Sequence, residues 1–115
     1  MESKHFKQKE LACHCCGTNK ATPELLDLLE AIREKVGEPV FVTSAYRCEK
    51  HNAKCGGKPR SQHLLGNAAD IHIKSKSPKQ LAAFLEKNFK IGGMGIYGTF
   101  VHVDCRKYSG KPIRW

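Results

Sequence analysis

Ser61-Gln62-His63-Leu64-Leu65-Gly66-Asn67-Ala68-Ala69-Asp70-Ile71-His72-Ile73 changes character half-way along, and that change sets the local fold. From Ala68 onward, period two puts Asp70 and His72 on one face and Ala69, Ile71 and Ile73 on the other, which reads as a strand buried on one side. His63 lies just before this strand. Gly66, between the two, can take the sharp bend that turns His63 and Asp70 toward one point. Ala68 and Ala69 are small enough to let a neighbouring backbone approach closely.

Working outward, Val40-Phe41-Val42-Thr43-Ser44 has the β-branched and aromatic character of a second strand. Phe100-Val101-His102-Val103-Asp104-Cys105 reads as a third, with His102 and Asp104 on one face and Val101 and Val103 on the other. A helix is expected from Thr22 as N-cap and Pro23 as its first residue, with Leu25, Leu28, Leu29, Ile32 and Val36 as a buried stripe and Gly37 as the stop. A second helix opens at Ser77-Pro78-Lys79-Gln80, where a capping serine is followed three residues on by a glutamine. Leu81, Phe84, Leu85 and Phe89 supply its apolar face. The stretch from Ala45 to Gly66 is polar and glycine-bearing and reads as a long loop. This order predicts an α+β fold, a small, mostly antiparallel sheet flanked by helices. One domain is expected over residues 1–115, of which 1–20 form a cysteine-containing N-terminal segment.

His63, Asp70 and His102 together offer two imidazoles and one carboxylate on or beside strands. Three nitrogen and oxygen donors with a fourth position left for water are what a catalytic zinc site uses. Spacing alone leaves this open, because six histidines in 115 residues make a chance pairing easy. His5, His14, His51 and His72 are read as surface or supporting residues.

Composition narrows the partners. Hydrophobic residues at 40% and charged residues at 27% describe an ordinary folding chain rather than a disordered one. No apolar run reaches the roughly 20 residues that cross a bilayer, and the start shows no signal-peptide core. Cytoplasmic synthesis is therefore expected, with no membrane partner. A formal net charge of +9 favours polyanions: nucleic acid, teichoic acids or the carboxylates of cell-wall peptides. The basic residues are scattered, and no recognisable nucleic-acid motif accompanies them, so no specific nucleic-acid partner is expected. Of the six cysteines, Cys13, Cys15 and Cys16 crowd together, with Cys48, Cys55 and Cys105 elsewhere. In a reducing compartment they are free thiols or metal ligands, and a second, structural zinc on Cys13, Cys15 or Cys16 with Cys48 or Cys55 is a reading the spacing leaves open.

The pattern SxHxxGxAxD, here Ser61, His63, Gly66, Ala68 and Asp70, resembles the signature of the M15 family of zinc D-Ala-D-Ala carboxypeptidases and related cell-wall endopeptidases. Thr43-Ser44-Ala45-Tyr46-Arg47-Cys48 with His51-Asn52 and Gly56-Gly57 looks like a second block of that family, and Gly95-Ile96-Tyr97 with Phe100 to Asp104 like its closing strand. The resemblance runs from about the first helix to Arg106. It implies one catalytic zinc held by His63, Asp70 and His102, with Arg47 helping to hold substrate and its developing oxyanion. Ser61, at the head of the motif, is expected on the substrate side of the site, fixing the ligand loop by hydrogen bonding. Better-known branches carry Glu, Asp or His two or three residues before the last ligand as general base, whereas this chain has Thr99 and Phe100. Asp104 then either accepts the proton of the zinc-bound water or orients His102.

The resemblance implies a zinc metallopeptidase that hydrolyses stem peptides of peptidoglycan, either as a D-Ala-D-Ala carboxypeptidase or at an L-Ala-D-Glu bond. It would be a monomer, similar to phage lytic enzymes that reach the wall after release. The alternative is a zinc-stabilised binding module without hydrolytic activity, similar to the zinc site of the Hedgehog signalling domain.

Overall fold

Thr22 starts the first helix as its position suggests. Its side chain accepts a hydrogen bond from the Leu25 N–H at 3.2 Å, satisfying one of the donors that a helix start leaves unpaired. The helix, α1, covers Pro23–Val36 and ends on Gly37 in the left-handed conformation. The computed structural model describes residues 5–6, 11–13, 16–54, 61–107 and 111–115, and only the backbone of His51. His14, Cys15, Cys55, Gly56, Gly57 and Pro59 lie outside the described residues.

After α1 come β1 (Phe41–Ser44), the short helix α2 (Glu49–Lys54), a 3-10 turn (Gln62–Leu65), β2 (Ala68–His72), α3 (Pro78–Asn88), β3 (Gly93–Ile96), β4 (Val101–Asp104) and β5 (Ile113–Arg114). The five strands form one sheet in the order β1-β2-β4-β3-β5. Every pairing is antiparallel except that of β3 with β5. The α+β reading holds. Three details differ from the expected elements. The polar stretch after Ala45 contains α2 and the 3-10 turn; β3 is built from the glycine-rich Gly93-Met94-Gly95-Ile96; and β5 adds an edge near the C-terminus.

Alternation in the strands divides the sheet chemically. Ala69, Ile71, Met94, Val101 and Val103 join Leu25, Leu26, Leu29 and Ile32 of α1 and Leu81, Ala82 and Leu85 of α3 in one buried cluster. Each of these larger side chains contributes about 1.5–3 kcal/mol by leaving water. Leu28 and Val36, expected within the α1 stripe, are only partly buried, while Leu26 is buried in full. α3 is held at its start by the reciprocal bonds of Ser77 and Gln80. The opposite face of the sheet carries Asp70, His102 and Asp104. Register aligns them: Asp70 stands opposite His102 and Ala68 opposite Asp104, while on the other side of β4 Gly95 faces His102 and Gly93 faces Asp104.

Candidate metal centre

His63 reaches the polar face through the 3-10 turn. Ser61 caps that turn, its hydroxyl accepting from the His63 N–H at 3.2 Å, and Gly66 closes it at φ 72 with its N–H donating to the carbonyl of His63. A side chain at Gly66 would collide with backbone, since a Cβ would lie 1.8 Å from the carbonyl oxygen of Lys20. The bend expected from the motif is therefore held from two sides.

Three expected ligands converge. His63 Nε2 and His102 Nδ1 each lie 3.2 Å from the same oxygen, Oδ1 of Asp70. One donor atom from each residue lies within 4.8 Å of the others, and all three residues are buried. Zinc bonds of about 2.0–2.1 Å to nitrogen and oxygen in a tetrahedron place neighbouring donors about 3.3 Å apart, so the observed spacing fits one shared ion. The donor chemistry agrees. The outer nitrogen of His63, Nδ1, faces the carbonyl of Ala45 at 2.6 Å, and the outer nitrogen of His102, Nε2, faces Asp104 Oδ2 at 2.7 Å. Both are acceptors, so each outer nitrogen carries a hydrogen and each inner nitrogen turns toward the Asp70 carboxylate. Such a cage requires positive charge at its centre, from protons or from a metal.

Electrostatics follow from that cage. Burial raises the Asp70 pKa, but hydrogen bonds from His102 and His63 outweigh it and bring the group from its ordinary 3.8 to about 2. Burial lowers the His102 pKa, yet its bonds to Asp104 and Asp70 prevail and hold it above the ordinary 6.5. Asp104, though fully buried, is held well below the usual carboxylate range by His102 and Arg106.

Arg47 spans the site's floor. Its Nη2 donates to Asp70 Oδ2 at 3.2 Å, its Nε to Ser44 Oγ at 3.1 Å and its Nη1 to the buried Asn52 at 3.4 Å. The guanidinium thus engages the free oxygen of the ligand carboxylate, and its backbone N–H donates to the His63 carbonyl at 3.2 Å. Asp104 sits on the far side of the His102 ring from Asp70. Its two oxygens also accept from Arg106 Nε at 2.8 Å, Arg106 Nη2 at 2.7 Å and the Arg106 backbone at 3.1 Å.

The family model for peptidase M15 matches residues 4–104, nearly the whole chain and all three converging residues. The chain belongs to the peptidase M15 family. It is thus a metallopeptidase of the kind that acts on peptidoglycan. No curated protein matches the chain.

One wall of this M15 site escapes motif reading. Trp115 extends the β5 edge, its backbone bonded to Met94 and Ile96, and its ring lies 4.9 Å from that of His102. Its Nε1 donates to the Tyr97 hydroxyl at 2.7 Å, and Arg106 stacks over it at 5.5 Å. Gly95 makes this contact feasible, since a Cβ there would fall 2.3 Å from Trp115 Nε1. A lone C-terminal tryptophan carries no spacing signal. The bare Gly95 opposite His102 becomes a clue only once the register is known.

Proposed function

We propose that this M15 peptidase is zinc-dependent and cleaves stem peptides of peptidoglycan, as a D-Ala-D-Ala carboxypeptidase or an L-Ala-D-Glu-type endopeptidase. The observation that carries this reading is the pair of inner nitrogens, His63 Nε2 and His102 Nδ1, both 3.2 Å from Asp70 Oδ1. These three residues would hold the ion, which supplies a water acidified to a pKa near 7 and a Lewis acid for the scissile carbonyl. The remaining residues position them. Ala45 and Asp104 fix the outer nitrogens, Arg47 fixes the second oxygen of Asp70, and Ser61 caps the turn that carries His63. We assign Asp104 to orientation of His102 rather than to proton transfer, because its carboxylate engages the ring nitrogen that points away from the ligand set. The half-exposed Trp115 and Tyr97 form a wall beside His102 against which a peptide can lie, and the net charge of +9 suits a wall rich in carboxylates.

The test is release of amino groups from purified cell walls. Activity should vanish in His63→Ala and after chelation, and should return when zinc is restored to the wild type. Zinc-loaded wild-type protein that frees no amino group from any wall peptide would overturn the reading. It would favour the second one, a zinc-stabilised binding module. A specific observation favours that alternative: the positions two and three before His102, where better-known branches of the family carry Glu, Asp or His as base, hold Phe100 and Thr99.

A further inference from the structure

We propose that Cys13, Cys16 and Cys48 form a second zinc site, structural rather than catalytic, which clamps the N-terminal segment onto the loop that orients the peptidase ligands. Three observations support it. The first is local: the Gly17 N–H donates to the Cys13 carbonyl at 2.8 Å and the Cys13 N–H to the Thr18 carbonyl at 2.7 Å, which ties the chain after Cys16 to Cys13. Gly17 holds φ 73, a conformation that suits glycine, and so turns the chain after Cys16 back toward Cys13.

The second observation is convergence from a distant segment. Cys48 lies between β1 and α2, and its backbone N–H donates to Cys13 Sγ at 3.4 Å, the kind of bond that stabilises a thiolate. One sulfur from each of the three cysteines lies within 4.8 Å of the other two. The third is metric. Cys13 Sγ and Cys48 Sγ are 3.7 Å apart. A disulfide requires about 2.05 Å, whereas zinc–sulfur bonds of about 2.3 Å in a tetrahedron set neighbouring sulfurs about 3.8 Å apart. Soft thiolates select zinc over magnesium or calcium. Cys16 is exposed, so the cluster opens to the surface on its side, where a water would complete four-coordination.

Its place in the chain gives the site its role. Tyr46 N–H donates to the Leu11 carbonyl at 3.2 Å, running the two clamped segments side by side. The loop so held carries Ala45, whose carbonyl fixes the His63 ring, and Arg47, whose guanidinium fixes Asp70. The structural ion therefore positions catalytic ligands through the residues immediately before Cys48.

The experiment uses the full chain with Co2+ as the probe. Thiolate ligation gives an intense near-ultraviolet sulfur-to-cobalt absorption that a His-Asp-His site cannot produce. We expect this band in the wild type and in His63→Ala, and its loss in Cys16→Ser, where the changed side chain is exposed and folding is not at stake. Zinc content should be about two per chain in the wild type and about one in either variant. Cys105→Ser, outside the cluster, should keep the band and both ions. Wild-type protein with about one zinc, no sulfur-to-cobalt band and all metal lost in His63→Ala would overturn the thiolate site while leaving the peptidase centre standing. A Cys13–Cys48 disulfide, found by peptide mapping of unreduced protein, would overturn it as well.

Discussion

Replacing Asp104 with asparagine separates the two roles open to this residue. The side chain is fully buried, and its two oxygens accept four hydrogen bonds, one from His102 Nε2 and three from Arg106. Asparagine keeps the volume but turns one oxygen into a donor. With the amide oxygen in the place of Oδ1, the new N–H group faces both Arg106 Nη2, another donor, and His102 Nε2, which must then present a lone pair and place its hydrogen on Nδ1, the nitrogen aimed at the metal. With the amide reversed, the Arg106 backbone N–H and Nε face another donor, at a cost below the roughly 1–3 kcal/mol of a fully buried unpaired group because Arg106 is partly exposed. Loss of such a supporting partner lowers metal affinity about 10–100-fold, or about 1.4–2.7 kcal/mol. The assay is zinc binding in competition with a chromophoric chelator, paired with hydrolysis at saturating zinc. We expect weakened zinc binding with much of the activity recovered at high zinc. Unchanged zinc affinity with hydrolysis abolished at saturation would refute the orienting role and make Asp104 the base.

Further outcomes follow from the same geometry. Gly95→Ala should displace Trp115 from the His102 ring, with a change in tryptophan fluorescence and reduced turnover but a melting temperature close to wild type; unchanged fluorescence would count against the wall. Gly66→Ala meets both a left-handed φ and the Lys20 carbonyl, and should destabilise by more than the roughly 1–2 kcal/mol of the backbone conformation alone, as read by urea unfolding. Leu29→Ala, in the fully buried core, should cost about 2–5 kcal/mol in the same assay. Metal-free protein should be most stable between about pH 4 and 6.5. The His102 pKa is raised in the fold, so its contribution is complete below the ordinary 6.5 and fades as pH rises through the raised value. The Asp70 pKa is lowered from 3.8 to about 2, so its contribution is complete above 3.8 and fades as pH falls toward 2. A steady rise in metal-free stability from pH 5 to 8 would contradict this assignment.

The helices were legible because their signals are local. Thr22 and Ser77 bond to backbone three residues away, and the apolar spacing of α1 and α3 is fixed by helical pitch. The short α2, Glu49–Lys54, was not legible, since Glu-Lys-His-Asn-Ala-Lys has no apolar stripe. Nor was β3, whose two glycines weaken any strand pattern and whose pairing with β4 supplies the order instead. Leu26 could be seen as apolar, but not as more buried than Leu28, which depends on how α1 is seated against the rest of the core.

By itself the sequence determined the α+β order of elements, the two-faced strands and the motif residues His63, Asp70 and His102. Those are properties of neighbours along the chain or of a recurring pattern. Tertiary structure alone decided that Asp104 meets the outer nitrogen of His102, that Arg47 braces Asp70, that Trp115 lies against His102, and that Cys48 meets Cys13 and Cys16. Each depends on strand register or on loop closure between distant segments. A one-residue slip in pairing would turn every one of those strand side chains to the opposite face.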